Sequence, residues 1–208
     1  MDTLILKKKN EVYITVDCDP NIQREISEFF TFYVPGYKFM PAFRNRMWDG
    51  KIRLYSQKTK EIYFGLFPYI RAFAEERGYN IVSEEGVEVN NKVDKDVVKK
   101  FSNSLGQKFE ARDYQIDAIY HSLKFNRSLL LSPTASGKSF IIYSLIRYYT
   151  HLIKDAPNNR ILLIVPTTSL VEQMYSDFES YGWNVKKNCH KLYSGYSNQT
   201  DKKVLIST

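Results

Sequence analysis

Cysteine is almost missing. Cys18 and Cys189 are the only two in 208 residues, and they stand far apart in no metal-binding or redox spacing. That excludes a disulfide-stapled secreted scaffold and points to a reducing, cytoplasmic setting. Histidine is scarce as well. His121, His151 and His190 have no cysteine or carboxylate at ligand spacing, so they are expected to be structural or surface residues. Long apolar runs are absent: the longest aliphatic stretch, residues 161–165, is far short of the roughly 18 residues that a membrane span needs. The opening Met1-Asp2-Thr3-Leu4-Ile5-Leu6-Lys7 puts its acid first and has three apolar residues before a lysine run, which is not a secretory signal. There is no internal repeat and no low-complexity tract. With 43% apolar and 25% charged residues, the chain is expected to fold as one or two domains with a real core.

What the sequence does have is basic charge and aromatic side chains. Lys and Arg number 30 against 23 Asp and Glu, and there are 16 Tyr, 13 Phe and 2 Trp. The charge is concentrated. Between residues 37 and 60 the basic residues are Lys38, Arg44, Arg46, Lys51, Arg53, Lys58 and Lys60, and the only acid is Asp49, a local net charge of +6. One-signed charge in a short stretch signals nucleic acid better than net charge does. The Lys7-Lys8-Lys9 run is expected to be solvated.

The pattern of elements changes along the chain. Residues 11–16 are rich in β-branched and aromatic side chains and read as a strand. Asp19-Pro20 then opens a helix with Ile22, Ile26, Phe29 and Phe30 on its apolar face. Residues 51–55 and 61–64 read as a hairpin, 66–77 as a helix stopped by Gly78, and 79–82 as a short strand. Residues 1–85 thus form a small α+β domain, and 86–110 a polar connector that includes a short amphipathic helix at 94–105. From residue 111 strands and helices alternate: helix 113–124, strand 128–132, helix 138–152, strand 161–165, helix 168–181 and a last strand at 204–207. Such alternation means an α/β unit with a parallel sheet. The 128–132 and 161–165 strands are continuously apolar, as strands buried on both faces are.

The most informative segment runs from that first strand into a loop and a helix: Leu129-Leu130-Leu131-Ser132-Pro133-Thr134-Ala135-Ser136-Gly137-Lys138-Ser139. A helix start offers backbone N–H groups without partners and the positive end of a dipole, which suits a phosphate chain. Gly137 lets the backbone approach closely, Lys138 can reach the β- and γ-phosphates, and the Ser139 hydroxyl can ligate magnesium. The Gly-Lys-Ser triplet alone says little; its place between an apolar strand and an amphipathic helix is the required context. Upstream, Ala111-Arg112-Asp113-Tyr114-Gln115 supplies a glutamine amide that can both donate to and accept from an adenine edge, or simply starts a helix. Downstream, Pro166-Thr167-Thr168-Ser169-Leu170-Val171-Glu172-Gln173 begins a helix at the ligand-binding edge of the sheet. It reads equally as a phosphate contact or as a plain Thr cap.

Taken together, the three segments resemble those of superfamily 2 helicases in order and spacing. The resemblance implies a RecA-like P-loop lobe over residues 111–208, with Arg112 and Gln115 at adenine. It places Thr134, Ala135, Ser136, Gly137, Lys138 and Ser139 around the phosphates of ATP, Ser139 on Mg2+, and Pro166, Thr167, Thr168 and Gln173 on a nucleic-acid strand. Many members have Gly where this chain has Ala135. The first half, with Phe43-Arg44-Asn45-Arg46-Met47-Trp48-Asp49-Gly50-Lys51-Ile52-Arg53-Leu54-Tyr55 and Phe64-Gly65-Leu66, resembles the N-terminal domain of the UvsW-like phage recombination helicases. Those enzymes act on branched DNA and R-loops, which implies DNA or an RNA–DNA hybrid as partner, a monomer, and the cytoplasm of a host cell. Physically, Arg44, Arg46, Lys51 and Arg53 can pair with phosphates, and Phe43 and Trp48 can stack on bases or serve as core.

Helicases of this kind also use an apolar strand ending in Asp-Glu and a second lobe, and neither follows residue 139 here. The chain is therefore expected to be the N-terminal part of an ATP-dependent DNA helicase and, by itself, to hydrolyse little ATP. The alternative is a nucleic-acid-binding module without catalysis. A small-molecule kinase would need a second acidic motif or a lid, and none is visible.

Overall fold

A computed structural model describes residues 2–87 and 91–208. The chain divides into two compact units, Met1–Val89 and Asn90–Thr208.

Among the described residues the first unit has a five-stranded sheet, a two-stranded ribbon and three α-helices, one of them short. Its elements are β1 (Thr3–Lys8), β2 (Tyr13–Asp17), α1 (Pro20–Phe29), β3 (Thr31–Tyr33), α2 (Pro41–Arg44), β4 (Lys51–Arg53), β5 (Tyr55–Ser56), β6 (Glu61–Tyr63), α3 (Phe67–Arg77) and β7 (Asn80–Ser83). The sheet order is β5-β6-β2-β1-β7, antiparallel except for the β1–β7 pair. Alternation fixes which face is covered. Leu4 and Leu6 of β1 and Ile14 and Val16 of β2 are buried, together with Ile62 of β6. They pack on Ile22 and Ile26 of α1 and on Ile70, Phe73 and Ala74 of α3. Asp19 caps α1 by accepting from the Asn21 N–H at 2.9 Å, and Pro20 takes the first helical position. Lys7, Lys8 and Lys9 are exposed, as expected, and form surface ion pairs with Glu84, Glu11 and Glu61.

The hairpin expected between residues 51–55 and 61–64 divides into two pairings. β5 pairs with β6, Tyr55 facing Ile62, but β4 pairs with β3 as a separate two-stranded ribbon, Arg53 facing Thr31. Leu54 turns the chain between them and donates its N–H to Phe30 O at 3.0 Å.

The second unit contains α4 (Lys95–Asn103), α5 (Asp113–Phe125), α6 (Lys138–Leu152), β8 (Ile161–Ile164), α7 (Thr168–Ser180), α8 (Val185–Asn188), β9 (Cys189–Leu192) and β10 (Val204–Ser207). The three strands are parallel in the order β8-β10-β9. The core joins Val98 of α4, Ile116, Ile119 and Leu123 of α5, Phe140, Ile141, Tyr143 and Ile146 of α6, and Val171, Met174 and Phe178 of α7 to Val204 and Ile206 of β10. Tyr143 lies at its centre, its hydroxyl donating to Leu105 O at 3.1 Å and receiving Arg147 at 2.6 Å.

One expected strand is not there. Residues 128–132 pair with no neighbour among the described residues, and Leu129 and Leu131 are 83% and 89% exposed. An apolar run records which surface a segment would bury; it becomes a strand only where another strand offers N–H and C=O groups to pair with. No helix of the described residues is long and apolar enough to cross a membrane.

Candidate functional site

The helix α6 begins at Lys138 directly after a tight loop, and the loop is built by turns. Ser136 N–H reaches Pro133 O at 3.4 Å, and Ser136 Oγ donates to the same carbonyl at 2.8 Å while meeting Ser132 Oγ. Ala135 and Gly137 both hold left-handed backbone, with φ of 63° and 78°. Phe140 is the first residue of α6 whose amide bonds back, to Gly137 O at 3.0 Å. The amides of Gly137, Lys138 and Ser139 enter no backbone hydrogen bond among the described residues, so three N–H groups point out of the helix start.

Two neighbours complete the loop. The Lys138 ammonium folds back over it and donates to Pro133 O at 2.7 Å and Ser132 O at 3.2 Å. Two neutral carbonyls hold that charge, and among the described residues no carboxylate pairs with it. From the other side comes the start of α5. The Gln115 side chain is buried, its Oε1 accepting the Arg112 N–H at 3.0 Å and its Nε2 donating to Ser136 O at 3.2 Å. The same carbonyl accepts Tyr114 OH at 2.9 Å, and Tyr114 in turn receives Arg112 at 3.1 Å. A helix start, a glutamine and an arginine thus brace the loop as one piece. Beside it lies a cavity of about 540 Å³ lined by Tyr114, the 129–131 leucines and residues 132–136.

The sequence singled out Arg112, Gln115, Thr134, Ala135, Ser136, Gly137, Lys138 and Ser139, and these lie within this loop and the α5 start that braces it. Tyr114 was missed. Its signal was its position next to Gln115 in a segment already read as ligand-facing.

The downstream segment sits at the carboxyl end of β8. Thr167 caps α7, its hydroxyl accepting the Leu170 N–H at 3.3 Å. Pro166, Thr168 and Gln173 are exposed. One turn further on, Glu172 receives Lys191 at 2.6 Å and the Tyr193 hydroxyl, and Lys191 first of all holds its carboxyl below the ordinary range.

In the first unit, Lys38, Arg44, Arg46, Lys51 and Arg53 of the basic cluster lie on the excursion between β3 and β4 and on β4 itself, whereas Lys58 and Lys60 lie between β5 and β6, Lys60 paired with Asp17. Arg44, Arg46 and Lys51 form no ion pair among the described residues. The Lys51 ammonium lies 4.9 Å above the Tyr33 ring, whereas Arg53 pairs with Asp49 and holds its carboxyl below the usual range. Trp48 is half-buried, and its indole N–H donates to Lys51 O at 2.9 Å. Phe43 packs edge-on against Tyr37, with ring centres 4.8 Å apart. A cavity of about 600 Å³ lies among Lys38, Phe43, Arg44, Arg46, Met47, Trp48 and Asp49.

A glycine-mediated loop at a helix start, braced by an Arg-Asp-Tyr-Gln segment, with a parallel strand feeding a Thr-capped helix beside it, is the arrangement expected from the resemblance to P-loop helicases. Comparison with known proteins agrees. Residues 4–84 match the family described as DNA helicase UvsW, N-terminal, and residues 108–208 match that of the type III restriction enzyme res subunit. The chain is 36% identical over 205 residues to the ATP-dependent DNA helicase uvsW of Enterobacteria phage T4, an alignment covering 94% of this chain and 40% of that protein. Two crystal structures of the T4 UvsW helicase superpose with a TM-score of 0.85 over 100% of this chain, at 29% and 30% identity, covering 75% and 42% of those chains. The two matched families together span most of this chain, which is similar over nearly its whole length to the T4 UvsW helicase. The chain spans 40% of the length of the curated relative that it matches.

Proposed function

We propose that these 208 residues are the ATP- and DNA-binding front portion of an ATP-dependent DNA helicase or translocase that works on branched DNA or R-loops. Residues 1–85 serve as a DNA-binding domain, 86–110 as a connector, and 111–208 as the first part of the motor lobe. The observation that carries the reading is the Lys138 ammonium held by two carbonyls alone at the mouth of a loop whose next three amides, from Gly137 to Ser139, bond to no backbone carbonyl. Such a set fits an anion. A polyphosphate gives Lys138 a charged partner in place of Ser132 O and Pro133 O, and gives the amides acceptors. Arg112 and Gln115 flank the base, and Thr134, Ala135 and Ser136 form the wall of the loop. Ser139 would offer its hydroxyl to Mg2+, which would supply charge neutralisation when bound.

Each unit contributes its own DNA contacts: Arg44, Arg46, Trp48, Lys51 and Arg53 in the first, Pro166, Thr167, Thr168 and Gln173 in the second. Binding of ATP is assigned to these residues, and its hydrolysis to the longer protein. The parent acts as a monomer in the cytoplasm of a host cell and accepts an RNA–DNA hybrid as well as DNA. The test is titration calorimetry of the chain with ATP and Mg2+, then with DNA. The motor reading expects both ligands to bind. A module that binds nucleic acid without catalysis expects DNA binding with no response to ATP.

A further inference from the structure

The excursion between β3 and β4 is a closed, self-braced loop. Its base is pinned by the Val34 N–H to Gly50 O bond at 2.9 Å. Inside it, Tyr37 stacks on Tyr33 with ring centres 4.7 Å apart and takes Phe43 edge-on, while Trp48 bonds to the Lys51 carbonyl. Phe43 and Trp48, which the sequence offered for stacking on bases, thus also brace the loop. The apolar side chains it presents to solvent are others: Phe39, 84% exposed on a single helical turn, and Met47, 75% exposed after α2.

Exposed single apolar residues are ordinary; two on one braced loop that also carries Lys38, Arg44 and Arg46, none of them ion-paired among the described residues, are not. The unpaired cations call for dense negative charge, which a nucleic-acid backbone supplies and an ordinary protein face does not. The apolar tips call for a flat apolar partner. In a duplex, base faces are covered by stacking except at a terminal pair or in an unpaired strand. We propose that Phe39 and Met47 form a stacking wedge that seats on the exposed base face at a junction between single- and double-stranded DNA, with Lys38, Arg44 and Arg46 on the flanking phosphates. The proposal rests on the DNA-binding reading above and adds the part of the DNA that is recognised.

The test uses the 208-residue chain and two DNAs of equal length. One is a fork with 2-aminopurine at the last paired position; the other is a continuous duplex with the probe inside. The wild-type chain binds the fork about tenfold more tightly, from one base–aromatic stack, and alters the probe's fluorescence there. Phe39→Ala lowers fork affinity about tenfold and abolishes the fluorescence change. Phe39→Ala joined to Met47→Ala lowers fork affinity further, and both side chains are exposed enough for the fold to survive. Replacing Lys38, Arg44 and Arg46 by Gln instead weakens both DNAs and flattens the salt dependence. Equal wild-type affinity for fork and duplex overturns the wedge while leaving DNA binding intact. No wild-type binding to either DNA at low salt overturns the DNA reading and the wedge with it. A dimer that Phe39→Ala dissolves without changing fork affinity assigns the tips to a second copy and overturns the wedge.

Discussion

The Gln115 side-chain amide lies directly against the bare Cα of Gly137. A Cβ on residue 137 would overlap Gln115 Nε2 and stand 3.6 Å from its Cδ. The contact joins the start of α5 to the start of α6, and it exists because residue 137 has no side chain and tolerates φ of 78°. Gly137→Ala is expected to push Gln115 off Ser136 O and to strain the backbone, destabilising the second unit by about 1–3 kcal/mol. Urea unfolding measures the loss, and nucleotide binding should fall with it. Ala135 sits at φ of 63° without that freedom, so Ala135→Gly relieves about 1 kcal/mol of local strain, partly offset by the looser unfolded chain. An Ala135→Gly protein that unfolds much more easily than wild type would contradict this account of the loop.

Gly50 has the same relation to Tyr37. A Cβ there would stand 2.8 Å from Tyr37 Cγ, and its φ is 79°. Gly50→Ala is expected to eject Tyr37 from between Tyr33 and Phe43 and to open the loop that carries Arg44 and Arg46. The cost is about 1–3 kcal/mol in the first unit. Weaker DNA binding should accompany the lower melting temperature. A melting curve that coincides with wild type would show that the loop is not braced in this way.

The Glu172 carboxylate sets an acid limb for the second unit. Lys191 and Tyr193 both donate to it, and its pKa falls below the ordinary 4.5. The unfolded chain therefore takes up this proton first as pH falls. The stabilisation is complete above 4.5 and drains away as pH drops through the folded value. Glu172→Gln should flatten the stability-against-pH curve below that point. The difference between the two proteins should be greatest at neutral pH and shrink in acid. A constant difference across that range would assign Glu172 a packing role instead.

Local signals were legible wherever one chain segment decides the outcome. Asp19-Pro20 announced α1, the Gly-Lys-Ser step marked the first residue of α6, and Thr167 marked the cap of α7. Pairing across the chain was not. β1 hides in a lysine run because alternate residues Leu4 and Leu6 are its only buried ones, and β4 chose β3 over β6 although both partners are short and aromatic. Residues 128–132 read as a strand because leucines record surface to be covered, yet pairing needs a neighbour. On α6 Phe140 and Tyr143 are both buried, since α5, α7 and β8 pack against the helix on several sides. In the first unit, residue type left open whether Phe43 and Trp48 stack on bases or serve as core, because their surroundings depend on the closure of residues 34–50 by a backbone bond.

The central claim is that the Lys138 ammonium, now resting on Pro133 O and Ser132 O, belongs to a phosphate. Calorimetric titration of the chain with ATP and Mg2+, wild type against Lys138→Ala, tests it most directly. A lost charge-assisted bond to phosphate corresponds to an affinity about 10- to 100-fold lower in the variant, with the fold unchanged by circular dichroism. Equal affinity in the two proteins would contradict the account.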